Sequence, residues 1–171
     1  MKAVVFHGDG DFSIEEKPIP RISSSDEVLL KVNAASICGS DLHVLNIPPG
    51  QYAKPETVLG HEFCGEIMEK GNAVEEFQIG DRVIVEPIIK CGICDACRNG
   101  YENLCQCSEI IGQTRDGGFA EYCIVPKRYL YKIPDCVPDH LAALAEPLAC
   151  VMHGILKLQP LAHERAVIYG A

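Results

Sequence analysis

Four cysteines within one short stretch set the tightest constraint on how this chain folds. Cys91, Cys94, Cys97 and Cys105 are spaced C-x2-C-x2-C-x7-C. Two-residue loops let successive sulfurs converge on one ion, and Gly92 relaxes the backbone between the first two. Four thiolates with no open position are the ligand set of a structural Zn²⁺. A four-cysteine iron–sulfur site uses the same donors. Cys107, two residues beyond Cys105, competes with it as fourth donor on spacing alone. The spacing predicts a metal-shaped lobe over about 88–108, with Ile93, Tyr101 and Leu104 as its main candidates for burial. Ten cysteines would suggest disulfides in a secreted mini-protein. The start of the chain, Met1-Lys2-Ala3-Val4-Val5-Phe6-His7-Gly8-Asp9, meets an acid too early for a signal peptide. Metal ligation in a reducing, cytoplasmic setting is therefore expected. Cys64, Cys123, Cys136 and Cys150 are expected to pack as small hydrophobes.

The first two-thirds of the chain reads as short strands. Lys2 to Phe6 and Phe12 to Lys17 flank a turn at Gly8-Asp9-Gly10. From Val28, the residues Leu30, Val32 and Ala34 share one face, opposite Lys31 and Asn33. Further strands are expected over Cys64 to Glu69, Arg82 to Glu86, Phe119 to Val125 and Tyr129 to Ile133. Asp116-Gly117-Gly118 signals a turn before Phe119, and Asp81-Arg82 suggests a turn with a local ion pair. Such spacing indicates a small barrel or sandwich. Pro138 to Leu158 is helical in pattern and interrupted at Pro147, which suits the first turn of a second helix. A further strand is expected over Arg165 to Tyr169. The net charge of −9 opposes nucleic-acid binding and attraction to anionic membranes. No apolar stretch is long enough to span a bilayer.

A second constellation joins Cys38-Gly39-Ser40-Asp41-Leu42-His43 to Gly60-His61-Glu62. A catalytic zinc keeps three protein ligands and one open position. Cys38 and His61 supply a thiolate and an imidazole, and either Glu62 or Glu146 the carboxylate. Ser40 and His43 are placed to pass a proton outwards, and Asp41 either to cap the turn after Cys38 or to stand behind a metal ligand. Neighbours on a regular strand face opposite ways, so His61 and Glu62 reach one metal only if the backbone bends, and Gly60 permits this.

The order of these motifs carries a resemblance. Gly60-His61-Glu62-x2-Gly65-x5-Gly71-x2-Val74, then Gly80-Asp81-Arg82-Val83, resembles the signature of zinc-dependent medium-chain alcohol dehydrogenases. Cys38-Gly39-Ser40-Asp41-x-His43 precedes it and the four-cysteine lobe follows, as in that family. Glu146-Pro147-Leu148-Ala149-Cys150 and Val151-Met152-His153-Gly154 resemble its helix leading to the nucleotide-binding domain. Glu146 stands where classical members place a second cysteine ligand, which points to the sorbitol, butanediol and threonine dehydrogenase-like branch. The resemblance implies a mainly β, GroES-like, partly open barrel with a four-cysteine zinc lobe. It implies a catalytic domain over 1–157, with C-terminal helices leading to the first strand of a Rossmann domain that begins at 158–171. It implies two zinc ions per chain: one on Cys91, Cys94, Cys97 and Cys105, the other on Cys38, His61 and either Glu62 or Glu146. Ser40 and His43 match the proton relay.

The implied reaction oxidises a secondary alcohol or polyol to a ketone with NAD or NADP, in a homo-oligomeric parent enzyme. Gly170 would open the G-x-G-x-x-G fingerprint. The sequence stops there as though cut, so the piece alone is expected to be inactive. A non-catalytic zinc-binding barrel used for assembly is the alternative; the lobe fits both readings, whereas Cys38, Ser40, His43, His61 and Glu62 together fit the enzyme.

Overall fold

The computed structural model describes residues 1–161 and 163–169. In chain order the elements are β1 (Lys2–Gly8), β2 (Asp11–Glu16), β3 (Glu27–Ser36), α1 (Gly39–Val44), β4 (Thr57–Val58), β5 (Glu62–Lys70), β6 (Arg82–Val85), β7 (Ile88–Ile89), α2 (Asp95–Arg98), β8 (Glu109–Ile110), β9 (Tyr122–Pro126), β10 (Leu130–Lys132), α3 (Asp139–Ala142) and α4 (Ala145–Leu158). Five strands form an antiparallel sheet in the order β10-β6-β5-β3-β9. A smaller sheet runs β2-β1-β4, and β7 pairs with β8 at the base of the cysteine lobe. The sheets curve around a core without closing into a barrel.

The alternation of β3 fixes which face is inward. Leu30 is fully buried, Val32 and Ala34 are partly buried, and Lys31, Asn33 and Ala35 are exposed. Leu30 packs with Val28, Phe63, Ile67, Val83, Val85 and Val125. The β3–β5 ladder runs from Val28↔Lys70 to Ser36↔Glu62, with irregularities between Leu29 and Leu30 and between Val32 and Ala34. A one-residue slip would turn every inward side chain of β5 outward, so core packing fixes where Glu62 stands.

One contact behind the ladder was read in the sequence only as a turn. Residues 116–119 lie against residues 58–60: Gly117 N–H donates to Val58 O and Gly118 N–H to Gly60 O, each at 2.8 Å. A Cβ on Gly117 would lie 2.1 Å from Gly60 O. That obstacle is backbone and cannot rotate away. Gly117→Ala is therefore expected to destabilise the chain by about 2–3 kcal/mol, the scale of overpacking. Urea unfolding would measure the loss, and an unchanged midpoint would contradict it.

Several expectations are corrected. The strand expected over Arg165 to Tyr169 does not form. Its backbone needs partners for its N–H and C=O groups, no described strand pairs with it, and Val167 and Ile168 are 75% and 79% exposed. Gly170 lies outside the described residues. Asp81, just before β6, pairs with Lys132 at 2.7 Å, and Arg82, the first residue of β6, pairs with Asp139 at 3.4 Å, not with each other. Cys64 and Cys123 are buried as expected, but Cys136 and Cys150 are exposed. Pro147 sits in the first turn of α4, as the pattern indicated. Ala142 and Ala143 anchor the helical region against Cys64 and Ile133. Leu148, Val151 and Leu156 of α4 remain exposed. No helix among the described residues is long and apolar enough to cross a membrane.

Candidate metal centres

The lobe gathers its four sulfurs through short turns. The Sγ atoms of Cys91, Cys94, Cys97 and Cys105 all lie within 4.8 Å of one another, and those of Cys91 and Cys105 are 3.5 Å apart. Sulfurs about 2.3 Å from a central zinc, at tetrahedral corners, lie about 3.8 Å apart. Backbone amides are aimed at these sulfurs. Cys91 N–H donates to Cys105 Sγ at 3.3 Å and Cys94 N–H to Cys91 Sγ at 3.4 Å. Such donors favour thiolate over thiol. The N–H groups of Cys97 and Gln106 pull the Cys94 thiol down to about 6. Burial, reinforced by the neighbouring Cys94 sulfur, pushes Cys97 up to about 12. The geometry also separates Cys105 from Cys107. Cys107 is exposed and lends Cys105 its backbone N–H, while its sulfur stays outside the cluster. Ile93, Tyr101 and Leu104 are 71%, 62% and 62% exposed, against the expectation that they fill the lobe. So short a loop around sulfurs has no interior for them.

The second centre draws on three segments. Cys38 precedes α1, His61 follows the bend at Gly60 (φ +92°), and Glu62 opens β5. One donor atom from each of Cys38, His61 and Glu62 falls within 4.8 Å of the others. The bend lets the adjacent His61 and Glu62 share a centre. His61 and Glu62 are buried at 6% and 5% exposure. Ser36 Oγ, opposite Glu62 in the ladder, donates to Glu62 Oε2, which leaves Oε1 available to a cation.

Asp41 connects the segments. Its Oδ2 accepts the Cys38 N–H at 2.9 Å, and its Oδ1 faces His61 Nδ1 at 3.4 Å. Neither Asp41 Oδ1 nor His61 Nδ1 has another partner. A carboxylate behind Nδ1 holds a metal-binding imidazole in one tautomer and leaves Nε2 for the ion. Burial disfavours the imidazolium, but Asp41 and the Cys38 sulfur outweigh it and lift His61 to about 9. The Asp41 carboxylate and the Cys38 sulfur that raise it mark a place that favours positive charge. The donor set fits a divalent cation that accepts sulfur, nitrogen and oxygen.

Ser40 Oγ lies 3.3 Å from His61 Nε2. His43 is one turn further along α1, exposed, with its Nδ1 3.4 Å from Asn46 Nδ2; no hydrogen bond joins it to Ser40 among the described residues. Glu146 stands outside the three-residue cluster but within its field. Burial raises its pKa, Glu62 adds to the rise and His61 opposes it. Cys150 Sγ lies 3.8 Å from Glu146 Oε1 on the next turn of α4. Asp41 therefore combines the two roles open to it in the sequence, capping the Cys38 turn through Oδ2 and standing behind His61 through Oδ1.

Residues 24–135 match the model of the alcohol dehydrogenase GroES-like domain. The sorbitol dehydrogenase of Bacillus subtilis (strain 168) is 42% identical over 165 residues, covering 94% of this chain and 46% of that protein. A protein described as a zinc-binding dehydrogenase, from Sinorhizobium meliloti 1021 and bound to NADP, superposes with a TM-score of 0.87 at 41% identity. That match covers 91% of this chain and 45% of the other. Galactitol-1-phosphate dehydrogenase from Escherichia coli gives a TM-score of 0.85 at 36% identity, over 93% and 45%. The chain spans about half the length of the relatives it matches.

Proposed function

Because the chain belongs to the alcohol dehydrogenase GroES-like domain family, we propose that it is the catalytic-domain portion of a longer zinc-dependent oxidoreductase. That enzyme converts a secondary alcohol or polyol to a ketone and passes hydride to NAD or NADP. The observation carrying this reading is the Cys38–His61–Glu62 cluster with Asp41 behind His61. Zinc is supported by the mixed donor set and by the zinc-binding dehydrogenase that superposes on the chain. Residues 1–157 would form the catalytic unit, and 158–171 would lead into the coenzyme-binding half.

Oxidation of a secondary alcohol removes a hydride from carbon and a proton from oxygen. When bound, zinc supplies Lewis acidity, which can lower the pKa of water from 15.7 to about 7, roughly 12 kcal/mol in favour of the ionised form. Cys38, His61 and Glu62 would hold the ion, with Glu146 as the alternative carboxylate near them. Asp41 fixes the His61 ring through Nδ1. Ser40 Oγ would accept the alcohol's proton as it releases its own hydroxyl proton towards His43, one turn away and exposed, which would pass it to solvent. Cys91, Cys94, Cys97 and Cys105 hold a second zinc with no open position and take no part in the chemistry.

These 171 residues contain no G-x-G-x-x-G pattern, and positioning of the nicotinamide is a large share of the barrier reduction. The chain alone is therefore expected to bind zinc without oxidising alcohols. Homo-oligomer formation would belong to the longer protein. Metal analysis of the zinc-loaded chain tests the reading, with two ions per chain as the expected result. One ion, lost on replacing lobe cysteines, would leave only a zinc-stabilised barrel suited to assembly.

A further inference from the structure

A cavity of about 600 Å³ opens between the segment following β6, the cysteine lobe and α4. Its volume is that of a small-molecule site. Glu146 stands in its wall, so it adjoins the centre formed by Cys38, His61 and Glu62. Glu86, Lys90, Asn103 and Tyr131 line the same space, with Ile88 on its apolar side.

The polar groups of this wall are arranged in pairs. Lys90 Nζ donates to Glu86 Oε1, and Tyr131 OH donates to Glu86 Oε2 at 3.0 Å. Glu86 thus neutralises Lys90 and fixes the proton of Tyr131. Lys90 keeps two N–H donors, the Tyr131 oxygen can still accept, and the exposed Asn103 amide offers both functions. A linear polyol has this complementary pattern, with a donor–acceptor hydroxyl and an apolar C–H on each carbon. Charge narrows the choice further. Among the described residues Lys90 is the one lysine or arginine in the wall, His153 is its one histidine, and two carboxylates, Glu86 and Glu146, accompany them. A phosphate would face both carboxylates, with the Lys90 charge already taken by Glu86.

We propose that this cavity receives the distal hydroxyls of a neutral, linear polyol, and that Tyr131, Lys90 and Asn103 select it over a phosphorylated one. The proposal rests on the reading of the chain as part of a polyol-oxidising enzyme, and it adds the preference for an unphosphorylated chain and the residues that choose it.

The test is a titration of the isotope-labelled, zinc-loaded chain with sorbitol and with sorbitol 6-phosphate, followed by NMR. Sorbitol is expected to shift the resonances of Lys90, Asn103 and Tyr131 saturably, and the phosphate to bind more weakly. Tyr131→Phe and Asn103→Ala should each weaken sorbitol binding about tenfold, the worth of roughly one hydrogen bond, with zinc content unchanged. In the longer enzyme the same variants should raise KM for sorbitol while kcat and the KM for 2,3-butanediol hold. Shifts that map elsewhere, equal or tighter binding of the phosphate, or variants that bind sorbitol normally would overturn the proposal. Saturable sorbitol binding in a longer enzyme that oxidises no alcohol would uphold the cavity and refute the activity. Turnover of alcohols without sorbitol-dependent shifts here would do the reverse.

Discussion

Chelating the zinc, or replacing Cys94 by Ser, loosens residues 90–106 before any other part of the chain. Cys97 is the lobe's buried residue, while Ile93, Tyr101 and Leu104 are exposed. Its regular structure within those bounds amounts to α2, four residues long, and a three-residue 3₁₀ turn at Glu102–Leu104. Neither could persist alone, since helices shorter than about 12 residues are marginal in water. The converging sulfurs therefore take the place of a core. Structural zinc contributes about 10 kcal/mol or more to folding in zinc-finger peptides, far above what exposed turns supply. Amide exchange in the lobe should rise by orders of magnitude, while β3, β5 and β9 keep their protection. Equal protection of the lobe and the sheet after chelation would show that the metal is not its core.

His61→Ala should remove one of the two ions and abolish turnover in the longer enzyme, with the sheet intact. The hydrophobic cluster of Leu30, Phe63, Ile67 and Val83 contains none of the three donors, so the fold does not depend on that ion. Asp41→Asn provides the graded companion. It keeps the shape of the side chain but withdraws the charge facing His61 Nδ1, and loss of such a partner lowers metal affinity about 10- to 100-fold. Without metal, the folded-state pKa of His61, about 9, lies above the unfolded value. The stability this brings is full below the unfolded pKa and is lost as pH rises through 9; Asp41→Asn should shift that loss downward. Metal analysis and an NMR titration of the His61 ring would read both effects. Two retained ions in His61→Ala, or unchanged zinc affinity in Asp41→Asn, would overturn the assignment.

What could be read from the sequence was mostly local. The cysteine spacing lies within one turn-rich segment, and the alternation of Leu30, Val32 and Ala34 within one strand. Even the difficulty of seating His61 beside Glu62 had its answer in the preceding Gly60. What escaped depends on distant residues. Nothing in the residues around Glu27 marks it as buried, yet it is. Burial opposes its charge, but the backbone amides of Ser23 and Ser24 and the Arg115 guanidinium hold its pKa below the usual range. Gly117 reads as a turn residue, and only the fold shows it pressed against Gly60. Asp41 reads as a cap or as standing behind a metal ligand, and only the fold pairs it with a histidine twenty positions away. The segment 165–169 has a strand's composition but no described strand beside it.

The two centres also differ in the chain length between their donors, which gives metal loading an order. Cys91 and Cys105 are fourteen positions apart, and the turns between them close with little help from the rest of the molecule. The partners Ser36 and Glu62 are twenty-six apart and meet only when β3 and β5 have paired in register. Loop-closure entropy grows slowly with length, so length alone separates the two only slightly. The larger difference is that one centre needs a formed sheet and the other does not. On the proposed ligand sets, a nascent chain would capture its first zinc while the sheet is still assembling, and a second ion would enter only a completed ladder. Occupancy of Cys38, His61 and Glu62 would then report that the ladder is complete, and a misregistered sheet would leave the molecule with a single ion.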